Sequence, residues 1–297
     1  MKKIVLILTV VAALALVWYF WLKPQDYMVR AKLNSIPGTV NQTLKSWSNT
    51  LKEPNTMVQQ GGLLHLSQRI TFGDSIHEYD WHIAPVTDST SRITVYIKDK
   101  EHSFMTRLKI PFMETNLEKR AKKTVMDFLT TLKEHQESIK VTLMDQEELP
   151  PIPCACVNVK GPQSQKAKGM MENYTFLSDV LTKNNIALNG VPLIEVNQWD
   201  MENDQLDFNF CYPIVETGIA PNIKKVIFKT LEGTKGLKAI YNGNYITSDR
   251  AWYALLDHAE REGIAVEKKP LEFFFNNPNM GGDALRWKTE VFMPIID

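Results

Sequence analysis

The chain has 297 residues, of which 44% are hydrophobic and 23% charged, and its 34 basic side chains balance 34 acidic ones. This length allows about two domains, and the composition is that of an ordinary globular protein. Zero net charge argues against a nucleic-acid-binding protein, which would usually carry a basic face. The sequence contains no phosphate-binding loop, Gly-x-Ser-x-Gly or His-Glu-x-x-His motif. We therefore expect no cofactor and no metal, and a binding protein rather than an enzyme.

The N-terminus predicts a membrane anchor over residues 1–24. After Lys2 and Lys3, an apolar run from Ile4 to Leu22 provides about the 20 residues that a membrane helix needs. The run ends in an aromatic cluster suited to a membrane interface, where a cleaved signal peptide would need small residues. We predict a single-pass anchor in a bacterial inner membrane with the body outside the cytoplasm. A cleaved signal peptide is the alternative.

Residues 25–140 predict a strand-rich first domain. A helical segment follows Ile36, and a long helix is expected from Glu114 to Glu137, where apolar residues recur at helical spacing. Five strand-like runs are bounded by turn residues: Asp26–Leu33, Gln59–Phe72, Ser75–Ala84, Ser91–Asp99 and His102–Ile110. This order, together with Trp47, the segment Trp81-His-Ile-Ala-Pro85 and the terminal helix, resembles the helix-grip domains of the SRPBCC superfamily. The resemblance implies an antiparallel sheet around the last helix and an apolar cavity for a lipid-like ligand; a filled scaffold core is the alternative.

Residues 141–297 contain one pattern twice. In each copy a strand ending at a glycine is followed by a helix and two further strands, the last of which ends in Pro-Ile. The distance from Gly161 to Pro213 is 52 residues, and from Gly243 to Pro294 it is 51. Repeats of this kind indicate duplicated units. The second half is therefore predicted to be an α+β domain with pseudo-two-fold symmetry and a ligand cleft between its copies.

Specific motifs connect this half with a known family. They are Tyr241-Asn-Gly243-Asn-Tyr245, the helix around Trp252, Pro270-Leu-Glu272-Phe-Phe274, the Asn277-Pro278 turn and the segment Thr289–Ile295. Together they resemble the GyrI-like effector-binding domain, the small-molecule sensor of AraC- and MerR-type regulators. The resemblance implies an effector pocket with a glutamate among aromatic rings. Phenylalanine stands at 274 and 292, where the family usually has tyrosine.

Strand parity selects candidate binding residues. Because alternate residues of a strand face the same way, Glu272 shares a face with Phe274, and Glu290 with Phe292. We expect these four side chains to form one carboxylate-and-aromatic surface, with Asn209 at the place in the first copy that matches Glu290. Such a surface suits a small hydrophobic, aromatic or cationic ligand, because rings attract cations and a desolvated carboxylate favours a cationic partner.

Other assignments stay open at this stage. Tyr241, Tyr245 and Trp252 are either pocket wall or core, and a single aromatic residue is more often core. The cysteines Cys154 and Cys156 share a strand face, and Cys211 could pair with either in an oxidising compartment. Alternative functions are a hydrolase that uses a pocket glutamate as base, and an envelope scaffold or protein-interaction module. No protein partner is identified by the sequence.

Overall fold

The computed structural model describes residues 2–73, 75–216 and 221–296. The chain divides into two units, one up to Leu132 and one from Lys133 onward; the sequence predicted the change of domain at residue 140. Each unit contains helices and antiparallel strands. The predicted α+β class is therefore confirmed.

The N-terminal helix α1 (Lys2–Val17) continues as a π-helical turn, Trp18–Leu22. No residue of α1 is buried in protein. The stretch Lys2–Leu22 is long and apolar enough to cross a membrane, a property that signal sequences share. By length and composition, this helix is a candidate membrane span.

The first unit is built on a five-stranded antiparallel sheet of order β1-β5-β4-β3-β2. The predicted single run Gln59–Phe72 contains the end of one strand and the whole of the next. The strands are β1 (Tyr27–Leu33), β2 (Asn55–Gln59), β3 (His65–Phe72), β4 (Ser75–Thr87) and β5 (Thr90–Asp99), and the helices are α2 (Pro37–Ser48), α3 (Ser103–Lys109) and α4 (Asn116–Glu137).

The core of the first unit lies between this sheet and helices α2 and α4. Along β4, the inward residues Tyr79, Trp81 and Ile83 are buried. The Trp81 ring packs edge-on against Trp47 of α2, at 6.1 Å, and Phe128 of α4, at 5.4 Å. The alternate residues Glu78, Asp80 and His82 are polar and partly exposed on the outer face of the sheet.

The predicted strand His102–Ile110 is wrong, because this segment forms α3. Its residues Phe104 and Leu108 are four positions apart and share one face of a helix. Arg107 of the same helix is buried against Asp26. That long-range ion pair is a tertiary contact, so the sequence pattern of a short run could not show it.

The second unit contains one nine-stranded sheet of order β11-β8-β10-β9-β13-β14-β12-β6, with β7 paired to β12. The elements are β6 (Lys140–Leu143), β7 (Glu147–Leu149), β8 (Ile152–Pro162), α5 (Lys166–Lys183), β9 (Leu193–Asp200), β10 (Gln205–Pro213), β11 (Ile227–Leu231), β12 (Thr234–Asn242), α6 (Arg250–Glu262), β13 (Leu271–Phe274) and β14 (Lys288–Pro294).

The two copies of the repeat are β8-α5-β9-β10 and β12-α6-β13-β14. They join edge to edge, because β9 pairs with β13 and places Leu193 opposite Phe273 and Glu195 opposite Leu271. From this junction the strand order β9-β10-β8 in one direction matches β13-β14-β12 in the other. The two copies therefore lie side by side in one sheet rather than face to face. Pairing the two strand edges satisfies backbone groups that would otherwise stay exposed.

The sheet of the second unit has two distinct faces. We call the side against α5 and α6 the helix face; it carries Phe208, Val291 and Met293, and Gly169 of α5 lies against Phe208. We call the opposite side the open face; it carries Cys211, Phe273 and Phe292. Every strand contributes to both faces because its side chains alternate.

A disulfide links Cys156 of β8 to Cys211 of β10, which lie opposite each other on the open face. One of the two pairings left open by the sequence is therefore present. Cys154 is a free, buried thiol, and burial raises its pKa to about 12. It is consequently a packed apolar residue rather than a reactive one.

Candidate functional site

Strand register places two rows of side chains across the open face. The rows follow from the pairings of β8, β10, β9, β13, β14 and β12. The first row is Cys156, Cys211, Leu193, Phe273, Glu290 and Ile240, and the second is Asn158, Asn209, Glu195, Leu271, Phe292 and Lys238. The first row therefore reaches a carboxylate after four apolar residues, and the second places Leu271 and Phe292 between Glu195 and Lys238.

The middle of the open face is apolar. Leu271, Phe273 and Phe292 form a floor with the disulfide; they are buried, at 9%, 9% and 1% exposure, and the Phe273 and Phe292 rings meet edge-on at 5.7 Å. Leu149 of β7 and Ile152 of β8 pack against this floor. A ligand that lay on the rings would therefore have to share or displace these two contacts.

The carboxylate of Glu290 lies at one end of the floor. It is within 2.6 Å of the Lys288 ammonium and 3.2 Å of the Lys238 ammonium, and Lys238 also contacts Glu147 at 2.7 Å. Burial alone would raise the pKa of Glu290, but the hydrogen bonds from the two lysines outweigh it and hold the pKa below its ordinary value. Glu290 is therefore ionised at neutral pH.

Glu195 is the second carboxylate of this face. Lys229 of β11 contacts both of its oxygens, at 2.7 and 2.8 Å, and Asn209 donates a hydrogen bond to it at 2.8 Å. Three strand spacings of about 4.8 Å separate β11 from β9. Direct contact across that distance, between side chains that leave the sheet plane, requires the sheet to curl. The open face is therefore concave.

Protein cations already lie over the aromatic rings here. The Lys238 ammonium is 5.1 Å from the centre of the Phe292 ring, and the Lys288 ammonium is 4.5 Å from that of Phe275. Such contacts contribute about 0.5–2 kcal/mol. The positions that a ligand cation would favour are thus occupied by lysines, of which Lys288 is the more exposed, at 39% against 11% for Lys238.

Glu272 occupies a different environment, on the helix face. Its side chain is 0% exposed, and its oxygens lie 2.9 and 3.0 Å from the ammonium of Lys166 at the start of α5. Ser248, from the loop before α6, accepts a hydrogen bond from Lys166 and donates one to Glu272. Burial raises the pKa of Glu272, and Lys166 opposes this. The pair ties the two copies together inside the core.

Most of the aromatic residues predicted for the site also lie on the helix face. Phe274 packs against Tyr245 at 4.9 Å, and Trp252 lies against Trp199 at 5.1 Å. Tyr241 is fully buried, and its hydroxyl donates to the carbonyl of Asn244, at 2.9 Å. These rings, together with Glu272, are inside the packed interior between sheet and helices.

The expected common surface of Glu272, Phe274, Glu290 and Phe292 is therefore wrong. In the β13–β14 pairing, Glu272 is opposite Val291 and Phe273 is opposite Glu290, so the two carboxylates point to opposite faces. The structure keeps Glu290 and Phe292 together on the open face, and places Asn209 beside Glu195 there.

Sequence reasoning missed Glu195, Lys229, Lys238 and Phe273. These four needed the pairing of strands that are distant in sequence, which parity within one strand does not give. Parity within β14 already places Lys288 on the side of Glu290, and the two side chains pair at 2.6 Å.

Comparison with family models and with curated proteins gives no match. Solved structures with a similar fold include the C-terminal domain of EcmrR, at 16% identity over 54% of this chain and 98% of that one, with a TM-score of 0.45. Another is SAV2435 bound to tetraphenylphosphonium, at 11% identity over 52% of this chain and 94% of that one, with a TM-score of 0.38. A third is a hydrolase from Listeria innocua, at 13% identity over 55% of this chain and 98% of that one, with a TM-score of 0.34. The first two are GyrI-like effector-binding domains. Likeness at this level concerns the fold and transfers no ligand or activity.

Proposed function

We propose that the open face of the second unit binds a small amphipathic molecule with an apolar body and a cationic group. The observation that carries this proposal is the position of Glu290, an ionised carboxylate at the edge of the floor formed by Phe273 and Phe292. An apolar body on the rings and a cation beside the carboxylate would both be favoured.

The charges around Glu290 explain how a cation could enter. Glu147 and Glu290 face Lys238 and Lys288, so this group of four is neutral. Of the two lysines, Lys288 is the more exposed, at 39% against 11% for Lys238. An ion pair with a solvent-exposed partner contributes at most about 1 kcal/mol, so Lys288 is the lysine that a ligand cation would displace. Moving Lys288 into solvent leaves one negative charge for a ligand.

We further propose that α1 anchors this protein in a membrane with both units outside the cytoplasm. The length and composition of Lys2–Leu22 support the anchor. The Cys156–Cys211 disulfide supports an oxidising compartment, because cytosolic thiols are normally kept reduced. Lys2 and Lys3 favour the cytoplasmic side for the N-terminus.

The hydrolase alternative receives no support from the described carboxylates. A general base that works near neutral pH needs a raised pKa, and the pKa of Glu290 is lowered. Glu272 has a raised pKa but is 0% exposed and bound to Lys166 and Ser248.

Two ions of the same shape and opposite charge test the proposed site. Equilibrium dialysis of the chain without residues 2–17, none of which is buried, measures affinity for tetraphenylphosphonium and for tetraphenylborate. We expect tighter binding of the cation. Glu290→Gln should reduce the preference for the cation about tenfold, which corresponds to about 1.4 kcal/mol. Lys288→Ala should increase it by removing the internal competitor.

Two results would contradict this function. Equal affinities for both ions, in the wild type and in Glu290→Gln, would remove the carboxylate from the site. Absence of binding by either ion would support the scaffold alternative.

A further inference from the structure

A cluster of two histidines and one aspartate lies on the outer face of the first unit. His65 of β3 is directly opposite His82 of β4, and Asp80 is two residues before His82 on the same face. The Nε2 atom of His82 is 2.9 Å from one oxygen of Asp80, and the Nε2 atom of His65 contacts the other. The three ligand atoms all lie within 4.8 Å of one another.

The scaffold holds these side chains in place. β3 and β4 are interior strands of the sheet, paired on both sides. The rings of His65 and His82 stack at 4.4 Å, and Tyr96 of β5 packs edge-on against His82 at 5.3 Å. The donor atoms therefore converge on rigid elements rather than on loops, as a preorganised site requires.

The cluster lies in an open groove of about 800 Å³ on this face of the sheet. Gln60, Ser67 and Lys98 also line the groove. The three clustered side chains are 36–45% exposed, so solvent or a small ligand has access to an ion held there. Nearby Glu78 is already paired with Arg69 and Lys100, which leaves Asp80 as the carboxylate that faces the histidines.

We propose that His65, Asp80 and His82 bind a divalent transition metal, with zinc as the best match. Imidazole nitrogen with a single carboxylate oxygen suits zinc and its neighbours, whereas magnesium and calcium prefer oxygen ligands throughout. Three protein ligands and an open fourth position are the arrangement of accessible rather than purely structural zinc sites. The metal would replace the hydrogen bonds that now join Asp80 to the two rings.

Zinc and cobalt titrations of the full chain in non-ionic detergent, without a histidine tag, test this site. We expect one equivalent of Zn²⁺ in competition with a chromophoric chelator, and Co²⁺ should give the intense visible bands of a four-coordinate site. His65→Gln and His82→Gln should each weaken binding at least tenfold.

His102→Gln is the matched control, because His102 lies 3.6 Å from Asp99 and has about half of its surface exposed in the same unit. It should leave the affinity unchanged. Binding that is equally strong in the His65 and His82 variants, or weakened equally by His102→Gln, would overturn the assignment. The assignment would also be overturned if the chain, shown by circular dichroism to be folded, bound no zinc when one equivalent was added.

A second, independent observation concerns the surface next to α1. The Arg107 guanidinium donates to the carbonyl oxygens of Tyr19, Phe20 and Lys23, at 2.9, 3.0 and 2.6 Å, and it is also paired with Asp26. These carbonyls belong to the end of the N-terminal helix, where oxygens lack helical partners. The helix end is therefore fixed to the rest of the first unit by partly buried, charge-assisted hydrogen bonds.

An exposed apolar patch continues from this helix end. Phe104 of α3 packs on Trp21, at 5.7 Å, and Leu108, Phe112 and Met113 are exposed beside it in sequence. We infer that this patch rests on the lipid surface around the anchor, an inference that depends on the proposed membrane insertion of α1. Continuity with an apolar span indicates lipid as the occupant, and interfacial aromatic residues favour that depth.

An environment-sensitive fluorophore on Phe112→Cys, in the full chain reconstituted into phosphatidylcholine vesicles, tests this contact. Its emission should shift to the blue and be quenched by brominated lipid, whereas a label on Val58→Cys, also exposed, should report water. If both labels give the same water-like emission while the protein resists carbonate extraction, the contact between the patch and lipid is refuted, but the anchor is not. Loss of the protein into the carbonate wash would refute the anchor itself.

Discussion

The substitution Glu272→Gln removes the negative charge that faces the buried ammonium of Lys166. The nitrogen lies 2.9 and 3.0 Å from the carboxylate oxygens, and the exposed fractions of the two side chains are 1% and 0%. Removal of one partner of a buried pair costs about 3–5 kcal/mol, because the remaining charge keeps its desolvation penalty. Since a domain has a total free energy of unfolding of about 5–15 kcal/mol, we expect a large loss of stability in the second unit.

The same change at Glu290 provides a matched control within one sheet. Glu290 is 17% exposed and its partner Lys288 is 39% exposed, while its second partner Lys238, 11% exposed, would keep its contact with Glu147. Glu290→Gln should therefore leave no ammonium buried without a partner and cost about 1 kcal/mol. The double substitution Lys166→Met with Glu272→Leu removes both buried charges and should recover much of the lost stability. Such a recovery would show that each buried charge needs the other as its partner, although the pair as a whole adds little to the stability of the fold.

Urea unfolding, followed by tryptophan fluorescence of the chain without residues 2–17, measures these differences. Trp252 lies beside the pair, with the Lys166 ammonium 4.9 Å from its ring centre, and contributes to this signal together with the six other tryptophans. Similar losses for Glu272→Gln and Glu290→Gln would refute the reasoning, since they would show that the two carboxylates share one kind of environment.

Two further predictions concern backbone geometry and pH. Gly243→Ala should lower the free energy of unfolding by about 1–3 kcal/mol. Gly243 has φ +151°, and a Cβ there would lie 2.5 Å from the Tyr241 hydroxyl oxygen. Gly161→Ala, at the matching place in the first copy, is the control: its Cβ would meet open space, so its melting temperature should stay close to that of the wild type. Burial lowers the pKa of His77 to about 4, although the nearby charge of Asp99 opposes this shift. In the unfolded chain the same imidazole takes up a proton near pH 6.5. The free energy of unfolding should therefore fall by about 3 kcal/mol as the pH decreases from roughly 6.5 to 4. His77→Asn should remove that loss, and a wild-type-minus-variant difference that does not change with pH would disprove it.

Several features of this chain could be predicted from its sequence. The apolar run before Lys23 identified the candidate span, because length and hydropathy are local properties. The spacing from glycine to Pro-Ile identified two copies of a strand-helix-strand-strand unit, since duplicated segments keep their element order. Parity within each strand correctly paired Glu272 with Phe274 and Glu290 with Phe292.

Only the tertiary structure decided which faces these pairs share. A shift of one residue in the register between β13 and β14 moves every side chain of one strand to the other face. The observed register puts Phe273 opposite Glu290, which buries Glu272 and leaves Glu290 on the open face. Backbone pairing of strands far apart in sequence sets this register, and no local pattern contains it.

The same reason explains the remaining differences. His65 and Asp80 are 15 residues apart and meet because β3 and β4 pair in one register. Arg107 and Asp26 are separated by 81 residues, and their buried contact accompanies a helix where the local pattern predicted a strand. Sequence determined the elements and their repetition through local periodicity, whereas long-range pairing determined which charges were buried and which stayed accessible.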